Sequence, residues 1–110
     1  MNVQVTARHF KAHESLTEYA EDALQQLTHF YDGIVRGEVI FSFEKKHNSV
    51  KIAEVSLAVY GTTLTSIGKS EDFEKSVDLA IEKLRTQLKK YKEKLHAKDR
   101  RGVRKVREKE

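Results

Sequence analysis

Apolar and polar residues alternate at the start of the chain, in the segment "NVQVTAR". Val3, Val5 and Ala7 fall on one side of an extended chain, and their polar neighbours fall on the other. A repeat of two residues is typical of a β-strand with one buried face. The segment therefore predicts a first strand.

The next segment, residues 14–33 ("ESLTEYAEDALQQLTHFYDG"), changes to the spacing of an amphipathic helix. Its predicted inner side carries Leu16, Ala20, Ala23, Leu27 and Phe30, flanked by Tyr19, Leu24 and Tyr31. Ser15 and Glu18 predict a capping box at the start of this helix, and Gly33 predicts its end.

Three further segments return to the alternation of strands. The predicted inward residues are Val39, Phe41 and Phe43 in "EVIFSFEK", and Ala53, Val55, Leu57 and Val59 in "VKIAEVSLAVYG". Gly61 separates the second of these segments from a shorter, Thr-rich strand around "TLTSIG". The short connections favour an antiparallel meander of these three strands.

A second helix is predicted from near Ser70, whose hydroxyl is a suitable cap, to about Leu95 or slightly further. Glu71, Asp72 and Glu74 suit the positive first turn of this helix. One apolar stripe along it is expected to cover the sheet: Phe73, Val77, Ala80, Ile81, Leu84, Leu88, Tyr91 and Leu95. The order of elements predicts an α+β fold, a βαβββα two-layer sandwich in which both helices pack on one face of a four-stranded sheet.

The domain organisation follows from length and composition. A chain of 110 residues fits one domain, which we place at residues 1–95. Residues 96–110, "HAKDRRGVRKVREKE", offer few apolar groups for a core and predict a basic, mobile tail.

Charge is distributed unevenly along the chain. Residues 1–82 carry 8 Lys or Arg against 13 Asp or Glu, whereas residues 83–110 carry 13 against 4. The net charge is thus −5 in the first part and +9 in the second. A concentrated basic surface most often meets nucleic acid, and less often an anionic membrane.

Basic residues form two flanks beside the apolar stripe of the last helix. Lys83, Gln87, Lys90 and Lys94 line one border, and Arg85, Lys89 and Lys92 line the other. One flank is expected to face the neighbouring helix and the other the outside. A helix that only needs solubility usually alternates its charges, but this one has like charges four residues apart at 85/89 and 90/94. This pattern favours a phosphate-binding surface over a merely solvated helix.

The residues that would carry chemistry show no catalytic or metal-binding pattern. The chain has no cysteine, its five histidines are not spaced for a metal, and the motifs of nucleophile elbows, P-loops and dinucleotide sites are missing. We expect no enzyme activity, cofactor, metal or small-molecule substrate. No apolar run of about 18 residues is present, so we expect a cytoplasmic protein without a membrane span. Membrane binding is not expected either, because the sheet needs the apolar stripe of the last helix.

The aromatic residues favour core packing over base recognition. Phe41, Phe43, Phe73 and Tyr91 fall on inward positions, while Tyr60 and Tyr31 remain candidates for surface rings. The residues alone therefore predict RNA binding through phosphates and shape. A generic module for double-stranded or structured RNA remains an alternative, as does an interaction module for an acidic protein.

The order of motifs resembles the short-form ribosome hibernation promoting factors and ribosome-associated inhibitors of bacteria over about residues 1–95. "GKSEDF", from Gly68 to Phe73, is similar to the family's opening of the last helix. "IEKLRTQLKKYKEKL", from Ile81, resembles its Ile-x-Lys-Leu-x-Arg-Gln-Leu-x-Lys pattern, and "NVQVTARHF" and "LTHFYDGI" also fit. The resemblance implies a monomer that occupies the messenger and transfer RNA channel of the small ribosomal subunit, contacts ribosomal RNA and proteins there, and blocks translation.

The resemblance also implies which residues contact RNA. Basic positions of the family are matched by Lys83, Lys90, Lys92 and Lys94, and in some members by Lys69. The family usually has Arg where this chain has Thr86; Arg85 stands one place earlier, about 100° round the helix. With the other flank included, the predicted RNA-binding residues are Lys69, Lys83, Arg85, Lys89, Lys90, Lys92 and Lys94.

Overall fold

A computed structural model of the chain describes the backbone of residues 1–46 and 49–109 and the side chains of residues 1–46 and 49–95. The elements in chain order are β1 (Asn2–Ala7), α1 (Glu14–Gln26), a 3-10 turn (Leu27–His29), β2 (Arg36–Phe43), β3 (Lys51–Val59), β4 (Thr62–Ser70) and α2 (Phe73–Lys109). The predicted α+β order of strand, helix, three strands and helix is confirmed.

The four strands form one sheet in the order β1-β2-β3-β4. The predicted meander is confirmed, because β2 pairs antiparallel with β3 and β3 pairs antiparallel with β4. β1 lies parallel to β2, with Val5 opposite Val39, because α1 returns the chain to the same end of the sheet. β4 has nine residues, as many as β3, so the prediction of a shorter last strand is wrong.

The core lies between the helices and one face of the sheet. The predicted inward residues of β3, and Val39 and Phe41 of β2, are buried there. The rings of Phe10, Phe41 and Phe43 lie against Phe73, with centroids 5.1 to 5.3 Å from its ring. Phe10 was missing from the predicted core because it stands alone in the connection between β1 and α1.

Both ends of α1 differ from the sequence prediction. His13 is the residue before the first turn, and its side chain makes no capping hydrogen bond. The capping box is therefore wrong, because Ser15 already lies inside the helix. The α-helix ends at Gln26 and tightens into the 3-10 turn, where Phe30 N–H donates to the Leu27 carbonyl. Short-range bonds of this kind satisfy carbonyls at a helix end, so Gly33 is not what ends α1.

The start of α2 lies three residues beyond the predicted cap. β4 continues to Ser70, and Asp72 Oδ1 accepts a hydrogen bond from Glu74 N–H at 3.0 Å. Asp72 thus takes the capping role that was assigned to Ser70. The Ser70 hydroxyl bonds to the backbone of Asp72, accepting from its N–H at 3.2 Å and donating to its carbonyl at 2.6 Å. It also lies 2.8 Å from the Ser76 hydroxyl, which donates to the Lys51 carbonyl at 2.8 Å.

Small residues bring the first turns of α2 close to β4. A side chain at Gly68 would overlap the backbone oxygen of Ser76 and lie 2.9 Å from the Ala80 nitrogen. Ser66 donates its hydroxyl to the Ala80 carbonyl at 2.7 Å, and this bond is buried. The glycine, the serines and the alanine therefore let the two backbones approach without leaving polar atoms unpaired.

The helix α2 reaches Lys109, further than the sequence predicted. Its backbone therefore continues through most of the segment for which the sequence predicted a mobile basic tail. The side chains beyond Leu95 lie outside the described residues, and the division at residues 95 and 96 stays a prediction. Within the part of the chain that is described, no helix is long and apolar enough to cross a membrane.

Candidate nucleic-acid interface

The candidate interface is the basic half of α2, which we define as residues 83–95. It carries six Lys or Arg and one Glu, whereas the preceding residues 73–82, the acidic half, carry three acidic residues and one Lys. Leu84 and Leu88 hold the basic half on the sheet with their side chains fully buried or nearly so. Five of the six cations are exposed and Lys92 is half-buried, so the packing leaves the charge at the surface.

The flank that contains Lys83 follows the free edge of β4. Lys83 Nζ donates to the Ile67 carbonyl at 2.7 Å, and Gln87 Nε2 donates to the Thr65 carbonyl at 2.9 Å. β4 is the last strand of the sheet, so its outward carbonyls have no partner strand. Lys83 and Gln87 therefore protect this edge as well as contributing to the surface of α2.

The flank that contains Arg85 faces the 3-10 turn that follows α1. The guanidinium carbon of Arg85 lies 5.0 Å from the centroid of the Phe30 ring, within the range of a cation–π contact. Lys92 Nζ donates to the Phe30 carbonyl at 2.7 Å. One flank was predicted to face the neighbouring helix and the other the outside. Arg85 does border the groove beside α1, while Lys92 reaches the chain just after it. The flank with Lys83 follows the edge of β4.

A surface notch opens at this flank. It has a volume of about 440 Å³ and is lined by Phe30, Arg85, Thr86, Lys89, Lys92 and Glu93. The three cations outnumber the one carboxylate, and the Phe30 ring is 46% exposed. We call this feature the Phe30 notch. Its combination of an aromatic ring and several cations is suited to an anionic, partly aromatic ligand.

The remaining predicted cations occupy two different places. Lys90 and Lys94 are exposed on the basic half. Lys69 is exposed on β4, where Ser66 and Gly68 face α2 and the odd-numbered neighbours point to the other face of the sheet. The structure therefore brings six of the predicted residues together on α2 and separates Lys69 from them.

The acidic half of α2 is tied to α1 by a hydrogen bond. Tyr19 donates its hydroxyl to Asp78 Oδ1 at 2.6 Å. This bond, together with partial burial and the nearby carboxylates, raises the pKa of the Tyr19 hydroxyl to about 12. Tyr19 and Asp78 line a groove of about 470 Å³ that also contains Asp22 and Glu82, with Arg85 at its border with the basic half. The helical layer thus has an acidic end and a basic end.

Sequence reasoning placed Phe30 on the buried side of α1 and so missed it as a surface residue. The helical spacing of about 100° per residue no longer applies after Gln26, where the chain tightens. Leu24, predicted as a flanking residue, is fully buried instead. No signal in the sequence marks this change of period. The prediction for Tyr60 as a candidate surface ring is confirmed, because its side chain is 83% exposed.

Among the described side chains, no group of three or more His, Cys, Asp or Glu residues is arranged to hold a metal ion. The groups at the surface of the basic half are mostly cations, and the Phe30 ring lies beside them. Such groups bind phosphate oxygens through charge-assisted hydrogen bonds.

Comparison with known proteins places the chain in a family. The model of the "Sigma 54 modulation protein / S30EA ribosomal protein" family matches residues 3–96. The ribosome hibernation promoting factor of Azotobacter vinelandii is 30% identical over 94 residues, which cover 86% of this chain and 85% of that protein. The protein of the same name from Pseudomonas putida is 30% identical over 94 residues, which cover 86% of this chain and 89% of that protein.

Solved structures share the fold. A ribosomal subunit interface protein from Coxiella burnetii has a TM-score of 0.76 and 33% identity, covering 84% of this chain and 98% of that one. The N-terminal domain of Thermus thermophilus Protein Y has a TM-score of 0.72 and 24% identity, covering 83% and 99%, which is a likeness of fold. Since the family model matches residues 3–96, well over half of the chain, the chain belongs to the Sigma 54 modulation protein / S30EA ribosomal protein family.

Proposed function

We propose that this protein is a ribosome hibernation factor, a translation inhibitor that occupies the messenger and transfer RNA channel of the small ribosomal subunit. The observation that carries the proposal is the basic half of α2, where six cations share one short stretch of helix that packs on the sheet. The names of its relatives, which refer to ribosome hibernation and to the subunit interface, supply the ribosome as the partner.

The contacts in this proposal are made to ribosomal RNA phosphates. Lys83, Arg85, Lys89, Lys90, Lys92 and Lys94 supply the positive charge, and each phosphate that they neutralise releases condensed counterions. Release of counterions makes the affinity steeply dependent on salt and supplies little sequence preference. The shape of the channel therefore has to provide the selectivity, which fits a domain whose last helix is fixed to the sheet by the buried bond between Ser66 and Ala80.

Lys69 has a smaller part in this account. Its place on the opposite face of the sheet separates it from the basic half, so it contacts RNA only where the channel surrounds the domain. The protein acts in the cytoplasm as a monomer, and its action is steric occupation of the channel, without catalysis.

Sedimentation with purified ribosomal particles tests the proposal. Small subunits, large subunits and a structured competitor RNA are each mixed with the protein at increasing salt. We expect stoichiometric migration with the small subunit that survives moderate salt and an excess of competitor. Transfer of the protein to the competitor RNA would contradict the proposal and leave a generic module for structured RNA. The same experiment is repeated with small subunits that carry messenger and transfer RNA. If these subunits bind the protein and keep both RNAs, the placement in the channel is contradicted.

A further inference from the structure

The Phe30 notch has a feature that phosphate binding alone does not require. A ring that is 46% exposed lies among cations at the surface, rather than in the aromatic core formed around Phe73. Contact of an apolar ring with water is unfavourable, so a ligand that covers the ring gains free energy of binding. The Arg85 guanidinium, 5.0 Å from its centroid, adds a second flat surface beside it.

Local contacts fix the position of this ring. Lys92 donates to the Phe30 carbonyl, and Phe30 N–H donates to the Leu27 carbonyl, so the backbone on which the ring stands is held from two sides. Leu27 itself is fully buried. The ring is therefore presented by an ordered turn, and ordering it costs a ligand little conformational entropy.

We propose that the Phe30 notch takes an unpaired nucleotide of RNA, with its base stacked on the Phe30–Arg85 pair and its phosphate held by Lys89 and Lys92. Bases stack on aromatic rings and on guanidinium planes without regard to their identity, because every base has a π-face. The notch, with a volume of about 440 Å³, has room for a base beside the ring. This inference rests on the proposed function, since the small subunit would supply the nucleotide.

The sequence predicted Phe30 on the buried side of the first helix and left only Tyr31 and Tyr60 as candidate surface rings. RNA binding was expected through phosphates and shape. Stacking on Phe30 adds a contact that depends on a base being unpaired, yet it does not read which base is present. Unpaired segments of RNA are thereby favoured over regular duplex.

Variants of Phe30 measured against purified small subunits test this inference. Phe30→Leu removes the π-face and keeps apolar bulk, Phe30→Tyr keeps the π-face, and Tyr60→Ala removes an exposed ring elsewhere on the surface. We expect Phe30→Leu to weaken binding at least about fivefold, with the slope of affinity against salt unchanged, because stacking releases no counterions. Phe30→Tyr is expected to recover most of the binding that Phe30→Leu loses, and Tyr60→Ala is expected to bind as the wild type does.

Two results would overturn the inference: Phe30→Leu binding as tightly as the wild type, or Tyr60→Ala weakening binding as much as Phe30→Leu. The ring is half outside the core, so circular dichroism and urea midpoints of all variants should agree closely with the wild type. Should Phe30→Leu fail this folding control, Phe30→Met replaces it with the same expected loss.

A separate probe decides the inference if the wild type itself does not bind small subunits and the proposed function fails. The probe is a short single-stranded RNA that contains 2-aminopurine, whose fluorescence is quenched by stacking. Saturable quenching by the wild type and by Phe30→Tyr, but not by Phe30→Leu, would support the notch as a nucleotide site. Equal quenching by all three, or by none, would overturn it.

Discussion

The two halves of α2 lie on the same sheet but are held there by different groups. In the acidic half, Ser76 and Ala80 lie close to Gly68 of β4. The Ala80 carbonyl accepts a buried hydrogen bond from the Ser66 hydroxyl of β4, and the half-buried Ser76 hydroxyl donates to the Lys51 carbonyl of β3. The basic half packs with the larger Leu84 and Leu88, and its long polar side chains reach backbone carbonyls at the surface.

This difference separates stability from binding along one helix. Close backbone approach in the acidic half leaves no room for substitution at the contact. Exposed cations in the basic half make individually small contributions to folding, so their number and spacing are free to serve a ligand. The comparison therefore assigns the anchor of the domain to the acidic half and its proposed RNA contacts to the basic half.

The largest effect expected from this comparison is that of Gly68→Ala. The new methyl group meets the backbone of Ser76, which cannot move as a flexible side chain would, so we expect a loss of about 3 kcal/mol or more in the free energy of unfolding. Gly61→Ala is the matched control. Gly61 has a φ of 83° and open space around it. Its substitution should lower the free energy of unfolding only by the strain of an alanine in the left-handed conformation, about 1–2 kcal/mol.

Urea denaturation of both glycine variants measures their free energies of unfolding. Equal midpoints for Gly68→Ala and Gly61→Ala would show that the close approach of α2 to β4 is not what anchors the helix.

The next effect concerns single cations in the two regions. Lys89→Ala removes a charge from the basic half, and we expect the slope of log affinity against log salt for small subunits to fall by about 0.7–0.9. Lys69→Ala removes the same charge from the opposite face of the sheet and should change the slope by much less. A larger change for Lys69→Ala than for Lys89→Ala would move the contact away from α2.

Several of these assignments were predictable from the sequence and others were not. The inward residues of β2 and β3 and the stripe of α2 followed from spacing, because burial in a regular element repeats with its period. The small residues at Ser66, Gly68, Ser76 and Ala80 are visible in the sequence, but their meeting depends on how β4 and α2 pack. The bond between Tyr19 and Asp78 joins residues 59 positions apart, and no local pattern marks it.

The failures of prediction occurred where one element changes into another. The 3-10 turn after α1 rotated Phe30 out to the surface, and the length of β4 moved the start of α2 from Ser70 to Phe73. Capping residues, which act over a single turn, did not override this tertiary packing. Binding residues on such junctions are therefore harder to predict than those on the regular part of α2.

The smallest effect is expected at the Tyr19–Asp78 bond in the acidic half. Tyr19→Phe removes one surface hydrogen bond, which should lower the free energy of unfolding at neutral pH by about 1 kcal/mol or less. The pKa of the Tyr19 hydroxyl is raised from 10.0 to about 12 in the folded protein. Above pH 10 the unfolded chain loses this proton first, so ionisation favours unfolding.

The stabilisation by Tyr19 is therefore present below pH 10 and is lost as the pH rises through about 12. Urea midpoints of wild type and Tyr19→Phe across this range should converge, and ultraviolet titration should show one tyrosine fewer ionising near pH 12 in the variant. A constant difference between the two midpoints at every pH would contradict the assignment.

An exchange of charge between the two halves tests the central claim most directly. The variant Glu74→Lys/Glu82→Lys/Lys89→Glu/Lys90→Glu keeps the net charge of the chain at +4. It moves two lysines from the basic half to the acidic half and two glutamates the other way. With the fold verified by circular dichroism, its affinity for small ribosomal subunits is compared with that of the wild type. If the basic half is the RNA-binding face, the exchange weakens binding by about tenfold or more. Unchanged affinity would show that only total charge matters and would contradict this account.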